Sequence, residues 1–242
     1  MPASDTRQRI RLRVDALDWK ALGPELEQEG HVRIPGLLTA HECQATAALY
    51  EVEERFRKTI DMGRHRYGEG EYRYFARPLP ALVEGLRLGF YPHLARVANR
   101  WNQRWDREAR YERSLRAFLA RCRDAGQERP TPLLLRYREN GFNCLHQDLY
   151  GDVAFPFQLV VLLSEPRRDF EGGEFLLVEQ RPRQQSRGEA LTLARGEGLV
   201  FPTRERPVET ARGVSRAQLR HGLSRLHSGE RTALGVIFHD AR

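Results

Sequence analysis

The segment FNCLHQDLYG, Phe142–Gly151, places a histidine and an aspartate two residues apart, at His146 and Asp148. In an extended strand, residues i and i+2 project from the same face, so both side chains can bind one metal ion. A single His-x-Asp also occurs by chance. A metal site is therefore predicted only if a third ligand follows at a workable distance along the chain.

Three further histidines lie in the C-terminal half, at His221, His227 and His239. One of them, brought in from a distant strand, would complete a set of two histidines and one carboxylate. Such a set leaves three metal positions open and is associated with non-haem Fe(II) oxygenases. Zinc hydrolase sites differ, because they commonly leave a single position open.

His221 is the preferred third ligand because Arg231 follows it ten residues later. A turn at Ser228–Gly229 would form a hairpin that returns this arginine beside the metal. A guanidinium can bind both oxygens of a carboxylate, so Arg231 is a candidate anion anchor. His227 lies close to the turn and His239 follows the last strand, so we expect both to lie outside the site.

From Leu133 onward, short apolar segments alternate with turns that contain Gly and Pro, which is typical of a β-sandwich or barrel. The first half differs. Thr39 and Glu42 form a predicted capping box at the start of a helix, with Leu49, Val52 and Phe56 on its buried stripe. A polar, aromatic loop is predicted over 64–75, and two or three helices over 80–125. The sequence thus predicts a mostly helical support, residues 1–132, and a β core, residues 133–242, in one compact unit.

Composition favours a soluble globular protein, with 40% hydrophobic and 30% charged residues in 242. The longest strongly apolar run, Leu159–Leu163, is too short to cross a bilayer, and the N-terminus has no apolar segment typical of a secretory signal. Three widely spaced cysteines indicate a reducing compartment rather than a disulfide framework. We therefore expect a cytoplasmic protein without a membrane partner.

The net charge of +7 and the isoelectric point near 9.7 are compatible with a nucleic-acid partner. However, Lys20 and Lys58 are the only lysines among 40 basic residues. Such a bias towards arginine also arises from a GC-rich genome. The charge alone leaves both explanations open.

Several motifs occur together in a fixed order over roughly residues 133–240. They are RYRENG at 136–141, His146-x-Asp148, FEGGEF at 170–175, GEGLVF at 196–201, and His221 followed by Gly229-Glu-Arg231. In this ordered set the C-terminal half resembles the 2-oxoglutarate- and Fe(II)-dependent dioxygenases, in the branch that includes prolyl hydroxylases. The whole chain, with YRYF at 72–75 and GVIFHD at 235–240, resembles a bacterial family of such oxygenases assigned by prediction to oxidative repair of alkylated nucleic acid.

This resemblance implies a double-stranded β-helix, or jelly roll. It implies that His146, Asp148 and His221 are the metal ligands and the catalytic residues, that Arg231 anchors the far carboxylate of 2-oxoglutarate, and that Tyr137 hydrogen-bonds this cosubstrate. It also implies Fe(II), 2-oxoglutarate and O2 as the cofactor and cosubstrates, with succinate and CO2 as products. Hydroxylation of an N-methyl carbon would release formaldehyde.

Three substrate assignments remain open at this point. They are demethylation of single-stranded or damaged nucleic acid, hydroxylation of a protein or small molecule, and a jelly roll that binds ligand or iron without turnover. For nucleic acid, Tyr72 or Tyr74 is expected near the mouth of the site as a stacking surface. The arginines expected to flank that mouth are Arg204, Arg206, Arg212 and Arg216. If arginine content reflects only the genome, these residues should instead pair with neighbours such as Glu205 and Glu209.

Overall fold

Two antiparallel β-sheets pack against each other in the computed structural model of the chain, which describes residues 3–108, 110–211 and 213–242. The helices are α1 Ala3–Asp15, α2 Trp19–Glu29, α3 Ala40–Ala48, α4 Met62–His65, α5 Ala81–Arg104 and α6 Leu115–Asp124. The strands are β1 Val32–Ile34, β2 Phe56–Asp61, β3 Gly68–Glu69, β4 Glu71–Phe75, β5 Leu133–Arg138, β6 Phe142–His146, β7 Phe157–Leu162, β8 Phe170–Gly172, β9 Phe175–Gln180, β10 Arg187–Leu191, β11 Gly198–Pro202, β12 Glu205–Thr210, β13 Gly213–Leu223 and β14 Leu226–Ile237.

The larger sheet has eight strands in the order β1-β11-β7-β14-β5-β4-β2, with β8 beside β14. The smaller sheet has six, in the order β10-β9-β13-β6-β3, with β12 beside β13. All of the pairings between these strands are antiparallel. The predicted α+β fold, with many short strands after Leu133, is therefore confirmed.

Strand β7 shows why the larger sheet is buried on both faces. Its sequence FQLVVL is buried at every position. Because successive side chains point to opposite faces, Phe157, Leu159 and Val161 join the core under the helices. Val160 and Leu162 join the second core, between the sheets. A mostly apolar run, interrupted here only by Gln158, fits such a two-sided environment.

Helix α5 covers the outer face of the larger sheet, where Trp101 packs on Phe157 with ring centroids 4.5 Å apart. Helix α1 packs in turn on α5, at Gly85 and Gly89. A Cβ atom at Gly85 would approach Ile10 Cβ to 2.9 Å, and one at Gly89 would approach Val14 Cβ to 2.8 Å. The two glycines therefore permit a close contact between the helices that any side chain would prevent.

The predicted capping box is present at the start of α3, where Thr39 and Glu42 bond each other's backbone N–H groups. The helix is shorter than predicted, since it ends at Ala48 and is followed by two 3₁₀ turns. Leu49 lies in the first turn and Phe56 already lies in β2, so the predicted helical stripe was wrong beyond residue 48. Helices α1 and α2 were not predicted from the sequence.

The prediction of a loop over 64–75 was also wrong, because this segment contains the end of α4, then β3 and β4. Strand β4 pairs with β5 and β2, so its YRYF sequence is an inner part of the larger sheet. Together with β1, these strands from residues 1–132 extend the sheet formed by residues 133–242. The first half therefore contributes to the β core as well as supporting it.

Candidate metal centre

Two histidines face each other across neighbouring strands of the smaller sheet. His221 on β13 is the direct register partner of His146 at the end of β6, and their ring centroids are 4.2 Å apart. Asp148 follows β6 by two residues and returns its carboxylate to the same place. The ligand atoms of the three side chains all lie within 4.8 Å of one another.

The carboxylate of Asp148 lies between the two rings. Its Oδ2 is 3.2 Å from His221 Nε2, and its Oδ1 is 3.6 Å from His146 Nε2. His146 Nδ1 is 2.8 Å from the carbonyl oxygen of Cys144. A proton on Nδ1, donated to that carbonyl, leaves the Nε2 lone pair free and facing Asp148. This tautomer is usual for metal-binding histidines.

Neighbouring side chains keep the cluster in a state that can bind a metal. Burial acts to raise the pKa of Asp148, but the hydrogen bond and charge of His221, the charge of His146 and the Tyr150 hydroxyl outweigh it and hold that pKa well below its usual range. Burial and the charge of His146 lower the pKa of His221. An ionised carboxylate and a neutral imidazole are the forms that bind metals.

Sequence reasoning missed Tyr150, whose hydroxyl donates a 2.6 Å hydrogen bond to Asp148 Oδ1. That bond restrains the carboxylate and leaves Oδ2 towards His221. The signal for it was present, because Tyr150 stands two residues after Asp148, as Asp148 does after His146. The ring of His221 is held separately, by Phe175 and Phe201 at centroid distances of 5.8 and 4.9 Å.

Arg231 reaches the same cavity from the opposite sheet. It lies on β14 with Tyr137 of β5 as its register partner. Only 3% of Arg231 is exposed, and its Nε has no hydrogen-bond partner. No carboxylate in the described ranges forms an ion pair with it, and burial lowers its pKa to about 10. A buried guanidinium without a counter-ion is costly unless an anion binds there.

The predicted hairpin between His221 and Arg231 was wrong. Strand β13 ends at Leu223 and β14 begins at Leu226, and the two belong to different sheets. The chain crosses between the sheets at 224–225. Ser228 and Gly229 lie within β14 and pair with β8. Arg231 therefore faces the metal ligands across the space between the sheets instead of lying beside them.

The glycine pair at 172–173 makes this arrangement possible. Both residues have positive φ, at 74° and 64°, as expected for a tight turn. A Cβ atom at Gly173 would also meet Leu226 Cδ1 at 2.6 Å and Arg231 Cδ at 3.1 Å. The missing side chain thus leaves room for the arginine.

The other two candidate histidines lie outside the cluster. His227 is exposed on β14. His239 is fully buried, and its Nδ1 accepts a hydrogen bond from the Phe155 backbone at 3.2 Å. Burial lowers the pKa of His239 to about 4, so it is a neutral core residue.

A cavity of about 560 Å³ joins the metal-ligand cluster to Arg231 and Tyr137. Asn143, which sequence reasoning also missed, donates a 3.1 Å hydrogen bond to the Tyr137 hydroxyl. Gln158 lines the cavity and its buried Nε2 has no partner. The apolar part of the wall comes from both sheets: Leu135, Val160, Phe175, Phe201, Leu223 and Ala233.

The arginines expected at the mouth have different environments. Arg206 is buried, bound to Glu179 at 2.6 Å and to the carbonyls at the end of α2, so its predicted role at the mouth was wrong. Arg216 lies over the Trp105 ring at 5.8 Å, Arg204 is exposed, and Arg212 lies outside the described residues.

One of the two tyrosines predicted as a stacking surface reaches the cavity. Tyr74 is only 7% exposed, which makes it a core residue, whereas Tyr72 lines the cavity. Glu205 and Glu209 do form ion pairs, with Arg107 and Arg104 of the helical half.

Comparison with known proteins places this site in a family. The model of the Oxygenase-NA family, described as an oxygenase catalysing oxidative methylation of damaged DNA, matches residues 70–241. The chain belongs to this family. An uncharacterized protein of Mycobacterium tuberculosis is 54% identical to it over 167 residues, which are 69% of this chain and 72% of that protein.

Solved structures show the same fold at low sequence identity. An oxidoreductase of the 2OG-Fe(II) oxygenase family from Burkholderia pseudomallei is 17% identical with a TM-score of 0.53, covering 93% of this chain and 94% of that one. A Pseudomonas putida prolyl-4-hydroxylase is 16% identical with a TM-score of 0.51, covering 93% and 99%. The family resemblance and the jelly-roll core predicted from the sequence are thereby confirmed, and the protein is an oxidoreductase. In the described part of the chain, no helix is long and apolar enough to cross a membrane.

Proposed function

We propose that this oxygenase uses Fe(II) and 2-oxoglutarate to oxidise alkyl groups on damaged nucleic acid. The observation that carries the proposal is one cavity with two chemically different ends. His146, Asp148 and His221 converge at one end, and the unpaired, buried Arg231 lies at the other.

The three clustered side chains fit Fe(II). Two imidazoles and one carboxylate occupy one face of a metal and leave three positions open. His146, Asp148 and His221 would hold the ion, and the open positions would leave room for the cosubstrates. A structural zinc site would instead close all four positions with protein ligands.

The far end of the cavity fits the second carboxylate of 2-oxoglutarate. Arg231 offers a charged fork to that carboxylate, and the bound anion would neutralise the buried cation. The hydroxyl of Tyr137 accepts its hydrogen bond from Asn143, so its own proton remains free to be donated to the same carboxylate. Arg231 and Tyr137 would therefore orient the cosubstrate towards the metal ligands.

Bound Fe(II) and 2-oxoglutarate supply the oxidising chemistry, in which O2 is consumed and 2-oxoglutarate is converted to succinate and CO2. The protein positions the reactants and excludes water from the site. The Cys144 carbonyl holds His146, and the rings of Phe175 and Phe201 hold His221. The apolar wall keeps water from the reacting centre. These groups bind and orient the reactants and transfer no proton.

The chemistry of the site determines the direction of a reaction on a methylated base. O2 and 2-oxoglutarate can oxidise a methyl carbon but cannot deliver one. One oxygen atom enters succinate, and the other converts N–CH3 to N–CH2OH. The N–C bond then breaks to return the N–H and release formaldehyde. Removal of the methyl group is thus the oxidative reaction that fits this site.

The test is stoichiometry with purified, Fe(II)-loaded protein and single-stranded DNA carrying N-methylated bases. We expect formaldehyde and succinate in equal amounts, and loss of both in His221→Ala. His227→Ala is the matched control, since His227 is exposed and outside the cluster. Turnover on peptides or small molecules, with none on DNA, would contradict the nucleic-acid substrate and assign the protein as a hydroxylase of those molecules. Absence of any succinate, even without substrate, would contradict the cofactor assignment.

A further inference from the structure

The short segment Arg64-His65-Arg66-Tyr67 is fixed beside the strand that carries His146. Helix α4 is capped by Asp61 and ends at His65, and the next residue, Arg66, adopts the left-handed conformation with φ 60°. Strand β3 then pairs with β6, and the Tyr67 carbonyl accepts a 2.8 Å hydrogen bond from the Cys144 backbone. The segment is therefore attached to the edge of the smaller sheet.

Two further features hold this segment in place. Met62 is fully buried in the core between the sheets, and its carbonyl accepts a 3.0 Å hydrogen bond from the Tyr67 backbone. Gly68 has a φ of 143°, and a Cβ atom there would lie 2.3 Å from the Phe142 carbonyl oxygen. Arg66 and Tyr67 are thus positioned by the same backbone that positions His146.

Exposed apolar side chains are concentrated at this point. Six large hydrophobic residues are exposed in the described chain, and three of them line the cavity of the metal ligands: Tyr67, Leu145 and Leu149. Leu145 and Leu149 directly adjoin His146 and Asp148 in sequence. Apolar groups grouped on a surface around a cavity mouth mark a binding site rather than ordinary surface.

The aromatic part of the patch is a flat, stacked surface. The rings of His65 and Tyr67 stack with centroids 5.3 Å apart and planes 20° apart, and both residues are exposed. Arg66 lines the same cavity and forms no ion pair with any described residue. Arg64 is 83% exposed and contacts Asp61 only at 3.4 Å.

We propose that Arg64–Tyr67, with Leu145 and Leu149, is the surface that binds single-stranded nucleic acid and directs one unstacked base towards the metal ligands. This inference rests on the proposed function and deepens it. Alternating cations and stacked rings match the alternation of phosphates and bases along a strand. The apolar side chains of Leu145 and Leu149 border the path that the base follows into the cavity.

The inference is tested by fluorescence anisotropy with labelled single-stranded DNA of about 12 nucleotides, carrying one N-methylated base. Mn(II) and 2-oxoglutarate are present, so that binding is measured without turnover. Tyr67→Ala should raise Kd about 5- to 100-fold, whereas Tyr67→Phe keeps the stacking face and should restore the wild-type Kd. Arg66→Glu should weaken binding and reduce the slope of log K against log salt by roughly 0.7 or more.

Arg116→Glu is the matched control for charge, because Arg116 is exposed on α6 and forms no ion pair with described residues. It should leave the salt slope close to that of the wild type. Wild-type binding with no effect of Tyr67→Ala or Arg66→Glu would overturn the binding surface and leave the proposed function intact. Failure of the wild-type protein to bind any single-stranded DNA would overturn the nucleic-acid substrate and the surface together.

Discussion

Arg231 combines two properties that rarely occur together in a folded protein. It is buried to 3% exposure and it forms no ion pair within the described ranges. Neighbouring Tyr137 and Glu174 act to raise its pKa, but burial dominates and lowers it to about 10. The guanidinium remains charged at neutral pH, so the site is arranged for an anion that the protein does not provide.

Arg231→Lys keeps the charge but loses the two-pronged geometry. We expect 2-oxoglutarate to bind about 10- to 100-fold more weakly, because one charged hydrogen bond contributes about 1.5–3 kcal/mol. Metal binding should be nearly unchanged, since the lysine would be on the opposite sheet from the ligands. Titration of 2-oxoglutarate into anaerobic Fe(II) protein measures this through the charge-transfer band, and an unaltered Kd would assign the anchor to another residue.

Arg231→Met should change stability in the opposite direction from most core substitutions. Removal of an unpaired buried charge is expected to stabilise the ligand-free protein by at least about 1 kcal/mol, which corresponds to roughly 2–4 °C in the unfolding midpoint for a chain of this size. Mn(II) with 2-oxoglutarate should raise the midpoint further in the wild type than in the variant. A lower midpoint for the ligand-free variant would mean that the arginine has a counter-ion.

Tyr150→Phe keeps the ring and removes the hydroxyl that restrains Asp148. Hydrogen bonds to metal ligands typically affect metal affinity by about 10- to 100-fold, and we expect a loss in that range. Isothermal titration with Mn(II) measures it. Tyr111→Phe is the control, because the Tyr111 hydroxyl bonds the Ala154 carbonyl at 3.2 Å, away from the metal ligands. Equal Mn(II) affinity in the two variants would contradict the role given to Tyr150.

At the scale of elements, α3 shows how a local motif acquires a tertiary role. Glu42 completes the capping box and also receives two hydrogen bonds from Arg13 of α1, at 2.7 and 3.1 Å. Burial acts to raise the pKa of Glu42, but the bonds from Arg13 and from the Thr39 backbone outweigh it, and the pKa is lowered. One carboxylate thus caps α3 and joins it to α1.

Glu42→Gln should cost about 1–3 kcal/mol at neutral pH, because charged hydrogen bonds to Arg13 are lost. The folded state lowers this pKa, so the contribution is present above the pKa of the unfolded chain and disappears as pH falls through the folded value. Urea unfolding of both proteins from neutral to acidic pH should show the difference shrinking. Glu84→Gln, which removes a more exposed ion pair with Arg7, should cost less than about 1 kcal/mol at any pH.

At the scale of the whole molecule, the two halves of the chain share one sheet. Strands β1, β2 and β4 extend the sheet formed by β5, β7, β11 and β14. The helices cover the face that β7 presents through Phe157, Leu159 and Val161. We therefore propose that residues 1–132 and 133–242 form one cooperative unit, with no independently stable support region.

The full chain should unfold in a single transition, with coincident curves from tryptophan fluorescence and far-UV circular dichroism. All three tryptophans, Trp19, Trp101 and Trp105, lie in or next to α2 and α5, so fluorescence reports on the helical half. A fragment of residues 133–242 should lack a cooperative transition, because its apolar face would be exposed. A sharp transition in that fragment would show a separable β domain.

The features determined by the sequence itself are those that depend on near neighbours. The two-residue spacing of His146 and Asp148 brings both to one side of the chain, the Thr39–Glu42 pair starts a helix, and apolar segments such as 157–163 form strands. Each of these follows from backbone periodicity or from a hydrogen bond across one turn, which residues a few positions apart determine together.

Tertiary structure alone decided the features that depend on distant strands. Arg231 faces the metal ligands because β14 belongs to the opposite sheet. Tyr74 is buried because Tyr72, Tyr150 and Arg57 pack against its ring. Arg206 is held by Glu179 and the end of α2. A side chain's exposure and partners are set by whatever the fold packs against it, and these contacts join residues too far apart in sequence for any local pattern to specify. The position of Tyr67 at the mouth of the site has the same origin.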